Sequence, residues 1–308
     1  MRVALITGAN GFCGRHLARR LEAEGGFRVL GAGLRDYACD SECLAEYIQA
    51  DLCDPNRVDD VVKKTQPDIV FNLVGLAQGK PAYLFRSNFF SALYLLEALR
   101  QHSPNARALV VGSAAEYGTA VSDQLPLTEG SPCAPTENYG ASKHAMTLVA
   151  QNYAQFYRMK IVVARPFNII GAGIPSTLLV GAVLSRIKQA LRNGGEPVIK
   201  IGNLESERDF VAVGDVVEAY IRMMAGSFWG EIFNLCSGQP RSVRSVIDLL
   251  LRYSDRPIRL EVDASLLRSS DQKRIYGDWG KAKRAIGYEP SVPIEEALHD
   301  AWKYAIQG

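Results

Sequence analysis

The chain has no cysteines at C-x-x-C spacing, no large surplus of one charge, and no apolar run long enough to cross a membrane. Its six cysteines (Cys13, Cys39, Cys43, Cys53, Cys133 and Cys236) are scattered, and no histidine stands at zinc-ligand spacing from Cys39 or Cys43. That pattern fits reduced thiols in a cytosolic protein, and no metal site is expected. A net charge of +2 is too small to signal a nucleic-acid or membrane partner. Any anionic ligand must therefore be met by basic residues placed locally. The first apolar run, Val3 to Ile6, turns at Gly8 and is too short for a signal-peptide core or a bilayer span. The expectation is a cytoplasmic protein that begins with a strand. Internal repeats and low-complexity tracts are lacking as well.

What is present is an ordinary globular composition, 47% hydrophobic and 22% charged over 308 residues. That length allows one large α/β unit, or a large domain with a smaller companion. Through the first half, short apolar runs alternate with amphipathic stretches. Strands are predicted at 3–6, 29–32, 47–50, 68–74, 107–111 and 160–164, and helices at 15–24, 57–64, 83–101 and 139–158. Almost wholly apolar strands alternating with helices predict a Rossmann-type, doubly wound parallel sheet over residues 1–166. Beyond it loops lengthen and strands shorten, with helices predicted near 178–191, 215–224, 243–252 and 294–306. Residues 167–308 are expected to form a smaller α/β region over the ligand edge of the sheet, with 231–235 returning to the main sheet.

The strongest local signal is Thr7-Gly8-Ala9-Asn10-Gly11-Phe12-Cys13-Gly14, which follows a strand and opens a helix. Such a turn needs glycine where φ is positive and where backbone must approach a pyrophosphate. The helix N-terminus then meets the phosphates with free N–H groups and its positive dipole end. Gly8, Asn10, Gly11, Phe12, Cys13 and Gly14 are therefore the candidate dinucleotide turn. An acid at the end of the second strand would hold the ribose of NAD. Here the strand ends Gly31-Ala32-Gly33-Leu34-Arg35, and Arg35 can pair with a 2′-phosphate, so NADP(H) is preferred and NAD(H) possible. Asp36 is the counter-argument, since a small shift would let it serve as the ribose acid. Asp51-Leu52, after the third strand, is placed to contact adenine, and Leu73-Val74-Gly75, after the fourth, to approach the cofactor.

Tyr139 and Lys143 stand four residues apart, which on a helix puts phenol and ammonium on one face. The ammonium should lower the tyrosine pKa and let the phenol exchange a proton near neutral pH. The strand at 107–111 ends in Gly112-Ser113, whose hydroxyl lies at the ligand edge of such a sheet and can hydrogen-bond a substrate carbonyl oxygen.

These motifs together resemble the extended short-chain dehydrogenase/reductases of the NAD-dependent epimerase/dehydratase family, over essentially the whole chain. The resemblance is carried by Thr7 to Gly14, Asp51-Leu52, Ser113 ahead of Glu116-Tyr117-Gly118, Tyr139 to Lys143, and Arg165-Pro166-Phe167-Asn168. It implies Ser113, Tyr139 and Lys143 as the catalytic triad, with Tyr139 and Lys143 also binding cofactor. It implies that Asn88 holds the lysine and the ribose region directly or through water, that Pro166 lies near the nicotinamide carboxamide, and that Asn168 meets a nucleotide sugar. It further implies a homodimer through the 83–101 and 139–158 helices, where Leu95 and Leu148 are compatible with either an outward apolar face or the core.

The C-terminal half is similar to the reductases of GDP-4-keto-6-deoxy-mannose that make GDP-rhamnose. The carrying residues are Arg165 to Gly171, Ile201 to Phe210, Phe233 to Gly238, and Leu267-Arg268 followed by Asp271. Arg208 and Arg268 are implied to bind the substrate diphosphate, with Arg274 a further candidate. Related dehydratases carry acids directly after the serine or threonine. Here those positions are Ala114 and Ala115, and Glu116 comes one step later, which in an extended segment turns it to the other face. Asn72 stands where the family commonly has histidine. The implied reaction is NADPH-dependent reduction of the C4 keto group of a GDP-linked sugar. The alternatives are a 4-epimerase with tightly bound NAD and a non-catalytic NADP-binding regulator.

Overall fold

The structure, a computed structural model, describes residues 1–35, 43–118, 125–193, 196–266 and 273–307. The first half alternates β1 (Arg2–Thr7), α1 (Phe12–Glu24), β2 (Phe27–Gly33), β3 (Glu46–Gln49), α2 (Pro55–Thr65) and β4 (Ile69–Asn72). A long helix follows in two parts, α3 (Pro81–Phe85) and α4 (Ser91–His102), joined by a π turn at Arg86–Phe90. Then come β5 (Arg107–Val111), α5 (Asn138–Phe156) and β6 (Lys160–Pro166). The remainder comprises β7 (Asn168–Ile170), α6 (Leu179–Arg192), β8 (Val198–Ile201), β9 (Glu207–Ala212), α7 (Val213–Ala225) and β10 (Ile232–Leu235). It closes with β11 (Pro240–Ser242), α8 (Val243–Leu251), β12 (Arg259–Val262), β13 (Arg274–Ile275), α9 (Gly280–Ile286) and α10 (Ile294–Trp302).

Seven strands form one sheet in the order β10-β6-β5-β4-β1-β2-β3, every pairing parallel. This is a doubly wound Rossmann-type α/β fold. The chain direction across the sheet reverses between β1 and β4, the switch point at which ligands bind in such folds. One face is covered by α1 and α7, with Leu17, Leu21, Val216, Val217 and Tyr220 packed on Ile6, Phe71 and Leu109. The other is covered by α2, α4 and α5, with Val58, Val62, Leu96, Leu99 and Met146 packed on Leu5, Val70 and Val110. Leu17 and Leu21 lie four apart on α1 and are wholly buried, each contributing about 1.5–3 kcal/mol. The stretch after 230 lies in the main sheet, with β10 pairing in parallel with β6.

A smaller sheet is centred on β9, which pairs with β7, β11 and β13. It sits beside a third core made by α6, α8 and α10 around β8 and β9. Because β7 follows β6 after one residue, the small sheet hangs directly off the C-terminal edge of the large one. The helix expected at 83–101 spans 81–102 and contains the π turn, whose wide winding changes the phase of its faces. Leu95 on α4 is core, 3% exposed, whereas Leu148 on α5 is 53% exposed. No helix among the described residues is long and apolar enough to cross a membrane.

Candidate active site

The strand ends of the large sheet and the near edge of the small one enclose a cleft of about 410 Å³. Its floor begins at the glycine turn. Gly8 has φ +73°, and a Cβ there would lie 3.0 Å from the Leu73 carbonyl carbon, so the turn needs glycine both for its backbone and for its contact with β4. At Gly14 a Cβ would come 2.5 Å from the Gly8 carbonyl oxygen and 2.7 Å from that of Ala9. Gly11 occupies the N-cap of α1 and provides no side-chain acceptor to the first turn. Phe12 and Cys13, the first two residues of α1, line the cleft, while Asn10 is half-buried in the turn. Enclosure pushes the Cys13 thiol up to about 12, so it stays protonated and is no nucleophile.

Gly75 admits α5 closely: a Cβ there would lie 3.0 Å from Asn88 Oδ1 and 3.1 Å from Lys143 Nζ. Asn88, wholly buried in the π turn, accepts from Leu76 N–H at 2.7 Å and donates to the Leu76 carbonyl at 3.0 Å and to Ser142 Oγ at 2.8 Å. It thus clamps the loop after β4 onto α5 at the residue before Lys143. The other cofactor-side positions are less direct. Leu52 is core, and Leu73 and Val74 pack against the two faces of the sheet. Asp51 accepts from Cys53 N–H at 2.9 Å and is ion-paired with Arg86 at 3.0 Å. Arg35 lies exposed just past β2, with its carbonyl held by the Tyr47 hydroxyl at 2.6 Å. Asp36 lies outside the described residues.

Ser113, Tyr139 and Lys143 converge on the cleft. The Ser113 hydroxyl accepts from Ala115 N–H at 3.2 Å and neighbours the Tyr139 phenol, whose ionisation it favours. Lys143 Nζ donates to the Val111 carbonyl at 2.8 Å. The electrostatics differ from the expectation that the lysine lowers the phenol. Burial raises Tyr139, with only the neighbouring Ser113 hydroxyl opposing it, and burial lowers Lys143 to about 8. Enclosure governs both groups, and the lysine charge is not among the influences on the phenol. A phenol held above its ordinary value stays protonated and can give its proton to an alkoxide.

Glu116 is not turned away in an extended strand. Residues 114–116 form a 3₁₀ turn in which Ser113 is the N-cap and Glu116 folds back to accept the Ser113 N–H at 2.8 Å. This capping box buries Glu116 beneath the cleft floor, against Arg165. Neither Ala114 nor Ala115, which do line the cleft, brings an acid to it.

On the opposite wall, Asn168 donates to the Asp209 carbonyl at 2.7 Å, and Arg208 lines the cleft from β9. Pro166 and Phe167 complete the junction between the walls. The structure does not bring Arg274 to the cleft. Its guanidinium pairs with Glu207 at 2.7 Å and lies over Tyr276, and the alternation of β13 points Ile275 into the cleft instead. Arg268 lies outside the described residues. An apolar wall of Ile174, Leu178, Leu179, Phe210 and Ile275, which the sequence pattern does not reveal, also lines the cleft. Alternation from Arg208 could have found Phe210; nothing marked the loop at 174–179. Between these cleft residues Asp209 faces away, accepting from Ser237, Gly238 and Gly277 N–H groups at 2.7, 2.9 and 3.2 Å. It ties β9 to the end of β10.

Residues 4–236 match the profile of the NAD dependent epimerase/dehydratase family. A GDP-6-deoxy-D-mannose reductase from Pseudomonas aeruginosa is 28% identical over 301 residues, covering 95% of this chain and 93% of that protein. A UDP-glucose 4-epimerase from Corynebacterium glutamicum is 28% identical over 245 residues, covering 76% and 73%. Among solved structures, RMD from Pseudomonas aeruginosa complexed with NADPH superposes with a TM-score of 0.85 at 26% identity, covering 100% of this chain and 99% of that one.

Proposed function

Because the chain belongs to the NAD-dependent epimerase/dehydratase family, and is thus an NAD(P)-dependent oxidoreductase, we propose that it reduces the C4 keto group of a nucleotide-linked 4-keto-6-deoxy sugar. GDP-4-keto-6-deoxy-mannose, reduced to GDP-rhamnose, is the favoured substrate, in keeping with the Pseudomonas reductase. The observation that carries the reading is a cleft in which Ser113, Tyr139 and a buried Lys143 meet, with alanines at 114 and 115 where a dehydration would need acids.

The residues present fit a nicotinamide dinucleotide. Gly8 packs the turn against the residue after β4, and Gly11 and Gly14 let the turn close on its own carbonyls, so that α1 opens with bare backbone N–H groups towards a pyrophosphate. Arg35 favours the 2′-phosphate of NADPH. When bound, that cofactor supplies the hydride. The chain's own groups do the rest. Ser113 Oγ orients the C4 carbonyl oxygen, Tyr139 Oη gives its proton to that oxygen as C4 gains the hydride, and the Lys143 ammonium holds the phenol and the nicotinamide ribose. Asn168 and Arg208 take the sugar nucleotide, Arg208 by charge-assisted hydrogen bonds to the diphosphate. The apolar wall of Leu178, Leu179 and Phe210 suits a sugar that has lost its C6 hydroxyl.

The second reading, a 4-epimerase, uses the same three groups and is favoured by the Corynebacterium relative. One assay separates them: protein with enzymatically generated GDP-4-keto-6-deoxy-mannose and NADPH or NADH, following loss of the reduced nicotinamide. Rapid NADPH oxidation supports the reductase. No oxidation of either cofactor, with NAD copurifying, favours the epimerase.

The protein is also proposed to be a cytoplasmic homodimer. Tyr83, Phe90, Leu148, Phe156 and Tyr157 are exposed along α3, the π turn and α5, which pack together on one side of the sheet. An apolar face of that kind on a globular protein marks an interaction surface.

A further inference from the structure

Beneath the cleft floor lies a buried charge that the proposed reaction does not use. Glu116 is 0% exposed. One carboxylate oxygen accepts the Ser113 N–H at 2.8 Å; the other accepts from Arg165 Nη2 at 2.8 Å and lies 3.7 Å from His144 Nδ1. Arg165, 1% exposed, stacks over the Tyr117 ring at 4.6 Å. Ligand atoms of Glu116, Cys133 and His144 lie within 4.8 Å of one another. A metal is nonetheless a poor occupant, because Arg165 already sets a cation against the carboxylate.

A buried ion pair is a weak source of stability, since desolvation offsets most of the attraction and an apolar pair of similar volume often serves as well. What an apolar side chain cannot do is accept the Ser113 N–H. The carboxylate also contacts three elements at once: the end of β5 through Ser113, the end of β6 through Arg165, and α5 through His144, the residue after Lys143. Two of these, the end of β5 and α5, carry the proposed catalytic groups Ser113, Tyr139 and Lys143. We propose that Glu116 is a positioning residue for the reaction, which by accepting the Ser113 N–H and pairing with Arg165 holds the Ser113 hydroxyl against the Tyr139 phenol. The inference rests on the reading of Ser113, Tyr139 and Lys143 given above.

The charge has a second consequence. Its hydrogen bonds and the Arg165 guanidinium hold the Glu116 carboxyl below its ordinary value despite burial, so it is ionised. The groups facing it are Arg165, His144, Cys133, Lys143 and Tyr139. Its negative charge favours the ammonium of Lys143 and opposes ionisation of Tyr139.

The test uses double variants that do not strand the guanidinium. Glu116→Gln/Arg165→Met keeps an acceptor for Ser113 N–H, whereas Glu116→Leu/Arg165→Met removes it. Near-ultraviolet circular dichroism and cofactor titration check the fold, and kcat, KM and the pH profile of kcat/KM read the effect. The Leu pair should bind cofactor and lose about 100-fold in kcat with KM changed little, the scale of a small misplacement in a catalytic group. The Gln pair should lose less than tenfold. In both, the alkaline limb should move to lower pH, a shift that a purely structural role would not produce. Wild-type kcat and an unmoved limb in the Leu pair, or equal losses in the two pairs, overturn the inference. Should the Leu pair fail to fold, Glu116→Asp decides: lower kcat in a folded protein supports the role, and wild-type kcat overturns it. A wild-type protein inactive on 4-keto nucleotide sugars overturns the triad itself and this inference with it.

Discussion

The two walls of the cleft are made of different material. The wall proposed for the cofactor is backbone: Gly8, Gly11, Gly14 and Gly75 let the turn, the strand end and α5 approach one another within contact distance. The wall proposed for the substrate is side chain: Asn168, Arg208, Phe210 and Ile275 come from strands far apart in sequence, gathered because β9 pairs with both β7 and β13, with Phe167 at the junction before β7. A backbone wall cannot change without moving what packs on it, whereas a side-chain wall can be rewritten residue by residue. That difference accounts for relatives named as a reductase and as a 4-epimerase both aligning with one chain.

The largest expected effect breaks the backbone wall. Gly14→Ala drives a Cβ into two carbonyl oxygens that belong to the turn itself. Stability should fall by about 1–3 kcal/mol, and cofactor binding followed by nicotinamide fluorescence should be lost; ordinary binding in this variant would mean the wall is not set by backbone approach. Next is pH. Burial lowers Lys143 to about 8, so kcat/KM should decline above that pH as the ammonium is lost. Stability from the same group moves the other way. Below pH 8 both states carry the proton; between about 8 and the ordinary lysine value the unfolded chain binds more protons, so stability rises. A flat kcat/KM profile from pH 6 to about 9.5 would remove Lys143 from the mechanism.

Smaller effects belong to the side chains. Arg208→Met should raise KM for the nucleotide sugar about tenfold or more and leave kcat close to wild type, because a charged hydrogen bond to a remote diphosphate is uniform binding. A fall in kcat with KM unchanged would put Arg208 in the reaction instead. The smallest is Arg35→Ser. Arg35 is exposed, so the ratio of kcat/KM for NADPH over NADH should fall by about tenfold or less. An unchanged ratio would mean that the second strand does not choose the cofactor.

The same division decides what could be read from the sequence. The glycine turn, the strand before it, and Tyr139 with Lys143 are local patterns, and each stands in the structure where local geometry puts it. Placements that failed depended on something not local. Glu116 is expected to face away from the site in an extended segment; it does stay out of the cleft, but through a capping box with Ser113 that closes a 3₁₀ turn. Arg274 was given to the cleft, yet the register of β13 on β9 places Ile275 there and Arg274 beside Glu207. Leu95 and Leu148 carry the same side chain on neighbouring helices, and only the packing of α4 on α2 and the sheet separates core from surface. The raised phenol of Tyr139 also escaped, because burial is a property of the assembled cleft.

The proposed reaction is hydride transfer to the sugar, with Tyr139 supplying the proton. The most direct test is turnover of GDP-4-keto-6-deoxy-mannose with NADPH deuterated on the nicotinamide C4 face that transfers, followed by mass spectrometry and NMR of the product, with Tyr139→Phe in parallel. The prediction is one deuterium at the sugar C4 per NADPH oxidised, and no product from the Phe variant although it still binds cofactor. Unlabelled product with NADPH left intact, or a fully active Phe variant, would contradict it.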